Sequence, residues 1–257
     1  MGFSSQDELI QSLTTDGQGD MAFMNKALGA AGVAGAWTLL GPHAGTPPLS
    51  VYTGSDLNFI PTDNTWAEGT TYTGGDVSPA TNHFLSAGAS VVAAAGAPWY
   101  IMAVDMVGFV PLTTTNVSTT GTKTVTMTAI GSSAAKVDRY PNGAGLRMFV
   151  AADTAMGANA PTCIINYLNT AGAAKATTTF TSTASATIGN VLNTGAAANK
   201  YNPFIPLAAG DTGVSDIVSL VWAGTAHASG TVVIGLCKPL WTIALASTGI
   251  YTKVDFV

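Results

Sequence analysis

Asp211-Thr212-Gly213 is the stretch of this sequence that comes nearest to a catalytic motif. The same letters form the nucleophile loop of aspartic proteases, where two carboxylates in contact share one proton because both cannot ionise together. A single-chain enzyme needs a second copy, and the nearest approach, Asp153-Thr154-Ala155, ends in alanine. A dimer could supply one copy from each chain. The residues ahead of Asp211 are Ala208-Ala209-Gly210, not the apolar strand such a loop grows from. Gly-Asp-Thr-Gly is also ordinary turn chemistry, since Asp bonds its own backbone and Gly accepts positive φ. The turn is the expectation, and an aspartic-protease-like enzyme using Asp211 is the remote alternative.

The other chemistry-bearing residues are sparse. His43, His83 and His227 sit in turn-like contexts, and no two are spaced to meet on one metal. H-E-x-x-H, G-x-S-x-G, the Walker phosphate loop and a strand-anchored G-x-G-x-x-G are absent, so zinc proteolysis, elbow serine catalysis and nucleotide binding lack their motifs. Asp16 with Asp20, or Asp63 with Glu68, could offer oxygen ligands, but neither spacing is that of an EF-hand, and solvated turn carboxylates are expected. Cys163 and Cys237 lie in apolar, strand-like runs outside any C-x-x-C pair. Two small buried hydrophobes are expected there, with a disulfide between them as the alternative. The sequon Asn116-Val117-Ser118 matters only in a secretory pathway. No residue is assigned a catalytic, cofactor-binding or metal-ligating role.

Composition points the same way. Among 257 residues 47% are apolar, yet only 9% are Asp, Glu, Lys or Arg, against about 25% in typical soluble domains. Disorder does not account for this, because disordered chains are charged and poor in apolar residues. Thr, Ser, Gly, Ala and Asn take the place of charge, giving a surface that stays wetted but repels its own copies weakly. That suits subunits packed side by side better than a free enzyme. The net charge is −5 and the basic residues are scattered singly, so the clustered cations of a nucleic-acid-binding surface are missing. Acidic Asp7, Glu8, Asp16 and Asp20 stand where a secretory signal carries positive charge. Ala27–Leu40, apolar but 14 residues long and broken by Gly29, Gly32 and Gly35, is too short to span a bilayer. Synthesis and assembly inside a cell, without export or membrane contact, are the expectation.

The elements that must position these residues are strands. Ser5-Gln6-Asp7-Glu8 reads as a capping box, predicting a short helix over about residues 6–14. Met21–Leu40 reads as a second helix weakened by its glycines, each costing about 1 kcal/mol against Ala. Residues 41–98 are turn-rich, with short extended pieces. Beyond Pro98 alternation predicts strands over Trp99–Pro111, Thr122–Ala129 and Leu146–Val150. Cys163–Leu168 and Lys175–Thr181 read as one hairpin and Asp216–Ala223 with Thr231–Lys238 as another, before Trp241–Ala246 and Ile250–Phe256. The class is all-β: an antiparallel sandwich, jelly-roll-like, over 51–257, with an N-terminal arm carrying a short helix over 1–50.

Two blocks resemble virion proteins of tailed phages. Pro161-Thr162-Cys163-Ile164-Ile165-Asn166-Tyr167-Leu168-Asn169-Thr170-Ala171-Gly172 is similar to a strand-and-turn of those proteins, followed there too by Thr-rich sequence. Phe204-Ile205-Pro206-Leu207-Ala208-Ala209-Gly210-Asp211-Thr212-Gly213-Val214, running on to Gly230-Thr231-Val232 and Lys238-Pro239-Leu240, resembles them more closely. The resemblance covers about residues 138–240 and implies a non-enzymatic particle component, a capsid decoration or cement protein located in the virion and assembled in the host cytoplasm. It implies a homo-oligomer, for example a trimer, seated on a major capsid protein, with no cofactor and no direct nucleic-acid contact. A tail, collar or fibre component binding receptor carbohydrate, with Trp66 and Tyr72 as stacking residues, is the alternative. Trp37, Trp66, Trp99, Trp222 and Trp241 are candidate anchors for subunit contacts, and core residues otherwise.

Overall fold

Along Thr162–Asn169 burial alternates residue by residue, with Cys163, Ile165, Tyr167 and Asn169 inward, the period of a strand with one face on a core. The structure, a computed structural model, describes residues 25–27, 35–46, 52, 54–62, 86–89, 99–117, 121–127, 140–194, 202–247 and 251–255. In chain order the strands are β1 (Asn25–Lys26), β2 (Gly45–Thr46), β3 (Ile60–Pro61), β4 (Ser86–Ala89), β5 (Trp99–Leu112), β6 (Lys123–Thr126), β7 (Arg147–Ala152), β8 (Thr162–Asn169), β9 (Ala174–Ala176), β10 (Phe180–Thr181), β11 (Val214–Ala223), β12 (Val232–Leu245) and β13 (Thr252–Asp255). A single helical turn, α1 (Thr114–Val117), follows β5.

These strands make an antiparallel sandwich of two main sheets. One has the order β10-β8-β11-β6, with β9 also on β8; the other has the order β3-β5-β12-β7. An isolated antiparallel bridge from Ala151 to Val191 adds the 190s segment beside β7. The chain therefore changes sheet at almost every connection: β5, β7, the Val191 segment and β12 lie in one, and β6, β8 to β10 and β11 in the other. Two short ribbons, β1 with β2 and β4 with β13, complete the described strands.

The main core lies between the sheets. Val107, Val110 and Leu112 of β5, Met148 and Val150 of β7, and Ile234 and Leu236 of β12 meet Ile165 and Tyr167 of β8 and Ile217, Leu220 and Trp222 of β11. Each large side chain removed from water contributes about 1.5–3 kcal/mol. The β5/β12 sheet is also covered on its other face. There Phe109, Phe149, Ala151, Val233 and Cys237 pack with Tyr52, Val191 and Phe204, and with half-buried Trp37 and Leu39. Two-sided burial explains why Val232–Cys237 reads as one continuous apolar run with every residue buried. Gly235 lies in that run because it opposes Phe149, whose ring carbons would lie 2.0 Å from an added Cβ.

Register slips tune β5 and β12. Between Leu236 and Cys237, and again between Pro239 and Trp241, the partner numbering shifts by one, the mark of a bulge. The first slip changes the phase of β5, so that Met102, Val104 and Met106 join the outer cluster and Val107 and Val110 the inner one.

Several expectations need correction. Asp216–Ala223 and Thr231–Lys238 are strands, but they do not pair as a hairpin: β11 pairs with β8 and β6, and β12 with β5 and β7. The eight residues between β11 and β12, with Gly224 and Gly230 at φ +97° and +106°, carry the chain between sheets. Trp241–Ala246 is not a separate strand but the continuation of β12 through Pro239. Within Met21–Leu40, the described residues form a strand at Asn25–Lys26 and turn and bridge structure at 35–40, not helix. Gly35 adopts φ +77°, which a right-handed helix excludes. The capping-box helix over 6–14 lies outside the described residues.

Candidate functional site

Three loops meet at one end of the sandwich: the turn after β8, residues 140–145, and the 202–213 segment that leads into β11. Asn169, the last residue of β8, bends the first of them, its Oδ1 accepting from the N–H groups of Ala171 and Ala173, both at 3.0 Å. Asn does this readily because its amide imitates a backbone turn. Its Nδ2 donates to Asp211 Oδ1 at 2.9 Å. The Tyr167 hydroxyl donates to Asp211 Oδ2 at 2.6 Å and accepts from the Ala208 N–H at 2.8 Å. The 161–172 and 204–214 blocks thus close on one another through Asp211.

The electrostatics follow. The bonds from Tyr167 and then Asn169 hold the Asp211 carboxyl below the usual carboxylate range, with Lys175 adding to the effect. Burial, then the Asp211 carboxylate, pushes the Tyr167 hydroxyl up to about 12. An aspartic-protease pair needs a second carboxylate across a shared proton; here the Asp211 oxygens accept from a phenol and an amide. Gly210, at φ +86°, and the Asp211 N–H bonded to Ala208 O at 3.0 Å make the segment a turn.

Charge gathers at this end of a chain otherwise poor in it. The Arg147 Nη1 donates to Thr212 O at 2.8 Å and Leu146 O at 3.2 Å, pinning the turn to β7. Gly145 N–H donates to Thr212 O at 3.1 Å, and Ala144 bridges Gly213. On the neighbouring rung Asp105 stands opposite Lys238. Asp105 accepts from the Tyr140 hydroxyl at 2.8 Å, and the Lys238 ammonium lies 5.6 Å from the Tyr140 ring centre. Arg147, Asp105 and Lys238 fasten loops to strands, and the Gly145–Thr212 and Ala144–Gly213 contacts fasten loop to loop.

A second pair, missed by the sequence reading, lies in the core. Ser182 Oγ and His227 Nε2 are 2.7 Å apart, with 1% and 0% of their surfaces exposed. The imidazole stands edge-on to Trp222, 5.9 Å between ring centres. Its Nδ1 has no hydrogen-bond partner, and neither has Trp222 Nε1. Burial lowers the His227 pKa, and the Gly157 backbone offsets this only in part. A serine nucleophile needs substrate at its oxygen, and burial keeps the Ser182 hydroxyl from the surface in this structure. Nothing in the spacing of residues 182 and 227 signals it.

The remaining candidates separate. Cys163 and Cys237 are buried free thiols in different clusters, one between the sheets and the other on the outer face of the β5/β12 sheet, so they do not pair. Burial raises both thiols well above their ordinary value, and Asp105 adds to it at Cys237. Trp222 is core, Trp37 packs on the outer cluster, and Trp99 and Trp241 are half-buried on the long β5/β12 ladder. Trp66, Tyr72, His83, Asp16, Asp20, Asp63 and Glu68 lie outside the described residues. Among the described residues, no three His, Cys, Asp or Glu side chains come together in a way that could hold a metal ion. A shallow open depression of about 360 Å³ lies on the β8/β9 edge, lined by Asn166, Lys175 and Val218. Comparison of the chain with protein-family models, with curated proteins and with solved structures finds no match.

Proposed function

We propose that this chain is a non-enzymatic structural component of a phage particle, a decoration or cement protein that stabilises a capsid shell. The observation that carries the reading is the strand order. With the Val191 segment included, one sheet runs β5-β12-β7-Val191 and the other β6-β11-β8-β10, and the chain alternates between them as two interleaved Greek keys. That order supports reading the sandwich as a jelly roll, an architecture recurrent in viral capsid and lectin domains. Fold alone does not assign function, so the chemistry of the chain matters as much. Its low charge, the loop-fastening use of Asp211, and the buried position of Ser182 and His227 favour a scaffold over a catalyst.

The mechanism is repetition. Modest contacts made by a homo-oligomer, a trimer being one such form, and multiplied over a closed shell of major capsid protein, sum to a large stabilisation. Direct contact with nucleic acid or membrane forms no part of it. Quantitative mass spectrometry of purified particles, normalised to the major shell protein, tests the reading. Hundreds of copies per particle are expected; absence from particles overturns it.

The lectin use of the same architecture favours a second reading, a tail, collar or fibre component that binds receptor carbohydrate. A handful of copies per particle, with glycan binding by the isolated protein, selects it. The aspartic-protease reading is tested by Asp211→Asn: a peptidase activity abolished by that substitution would establish it.

A further inference from the structure

Residues 35–46 lie across the outer face of the β5/β12 sheet. The strap is fastened to the 187–194 loop by four hydrogen bonds: Leu39 N–H donates to Gly189 O and Val191 N–H to Trp37 O, both at 2.9 Å, Trp37 N–H donates to Thr194 Oγ1 at 3.0 Å, and Thr38 Oγ1 donates to Asn190 Oδ1 at 3.0 Å. Gly189 forms the socket. It adopts φ +81°, and a Cβ there would lie 2.9 Å from Leu39 O and 3.0 Å from His43 Nε2. Beneath the strap lie Phe149, Ala151, Val191 and Phe204.

His43 closes the far end of this strap from a buried position, 7% exposed, and its Nε2 has no hydrogen-bond partner. The Lys26 ammonium of β1 clips the same turn, donating to Gly41 O at 3.2 Å and His43 O at 3.0 Å. From the 187–190 loop it is Gly189, which carries no titrating group, that faces the imidazole. The charge that acts on it among the described residues is Lys26. A neutral imidazole fits this place. Among the described residues no carboxylate faces the ring, so an imidazolium would stand buried beside the Lys26 cation that its own backbone carbonyl holds. Burial, then Lys26, accordingly lowers the His43 pKa.

We propose that the strap is an acid-released cover: protonation of His43 beside Lys26 lifts residues 35–46 from the sheet and exposes the apolar surface under Trp37 and Leu39. The device is a bistable segment biased by one proton, and the rest of the sandwich, with its own core, stays folded.

Hydrogen exchange of the full chain, corrected for intrinsic rate and compared at about pH 7.5 and about pH 5, tests it. Protection at Leu39 and Val191 is expected to fall about tenfold or more at the lower pH while β12 amides stay well above the strap in protection at both pH values. In His43→Gln the strap is expected to be equally protected at both pH values. A second measurement needs no variant: the NMR titration of the His43 imidazole and the loss of strap protection must share a midpoint. Unchanged strap protection, a response that persists in His43→Gln, separate midpoints, or strap protection equal to that of β12 at low pH each overturns the proposal.

Discussion

The Tyr167 hydroxyl donates to Asp211 Oδ2 at 2.6 Å, joining β8 to the turn before β11 across 44 residues of sequence. The same oxygen accepts from Ala208 N–H, so Tyr167→Phe strips two partners at once. We expect it to destabilise the fold by about 1–3 kcal/mol, read by denaturant unfolding. Asp211 has its pKa lowered in the folded state, so its contribution is present above its unfolded value of 3.8 and is lost as the pH falls further. Tyr167 is raised from 10.0 to about 12, so its contribution is full below pH 10.0 and is lost as the pH rises toward about 12. Tyr167→Phe should flatten both limbs of a stability–pH curve; a curve unchanged at both ends would contradict this assignment.

His227 is buried with its pKa lowered from 6.5. The folded state then binds fewer protons than the unfolded one, and His227 contributes stability that is lost as the pH falls below 6.5. Ser182→Ala leaves Nε2 without the hydroxyl and should cost about 1–3 kcal/mol at neutral pH. Thermal melts of wild type and His227→Gln between pH 8 and pH 5 read the first effect, with the steeper acid slope expected in wild type.

At Gly108 an added Cβ would lie 2.6 Å from the Ile60 carbonyl oxygen and 2.2 Å from the Phe59 ring. One of these neighbours is backbone, so the strain cannot be relieved by a rotamer change. Gly108→Ala is expected to cost about 1–3 kcal/mol and to loosen β3 from β5. Hydrogen exchange at the Thr62 amide, which bonds Val107 O at 3.0 Å, reports the second effect.

Cys163 and Cys237 should be inert to thiol reagents in the folded protein, because burial disfavours the reactive thiolate. Both should react once denaturant opens the core. Fast labelling of either thiol in native buffer would mean that its sheet face is accessible.

Local pattern made many strands readable. Val125 and Met127 inward, with Thr124 and Thr126 outward, gave β6 its face, and the Asn169–Gly172 turn marked the β8–β9 hairpin. Pairing was less readable. The glycines at 224 and 230 announce a turn, but turn chemistry is the same whether the next strand returns beside β11 or crosses to the opposite sheet. Pro239 reads as a strand end because it lacks an N–H. It is tolerated within β12 because it stands past Cys237, where pairing with β7 ends, and beside a bulge. The Tyr167–Asp211 link was written in the two blocks quoted for their resemblance, yet no local rule brings residues 44 apart together. The Ser182–His227 pair was invisible for the same reason.

The interleaving of the two sheets has a consequence for how the protein is made. β5 pairs with β12 along its whole length, beginning at Leu112 with Val232. During translation β5 emerges about 120 residues before its central partner, on the order of ten seconds at usual ribosome speeds. Through that interval an apolar strand waits with an unfilled edge, a ready template for the same strand of a neighbouring nascent chain. Yield in the cell should therefore depend on chaperone capacity and translation speed more than on the stability of the finished sandwich.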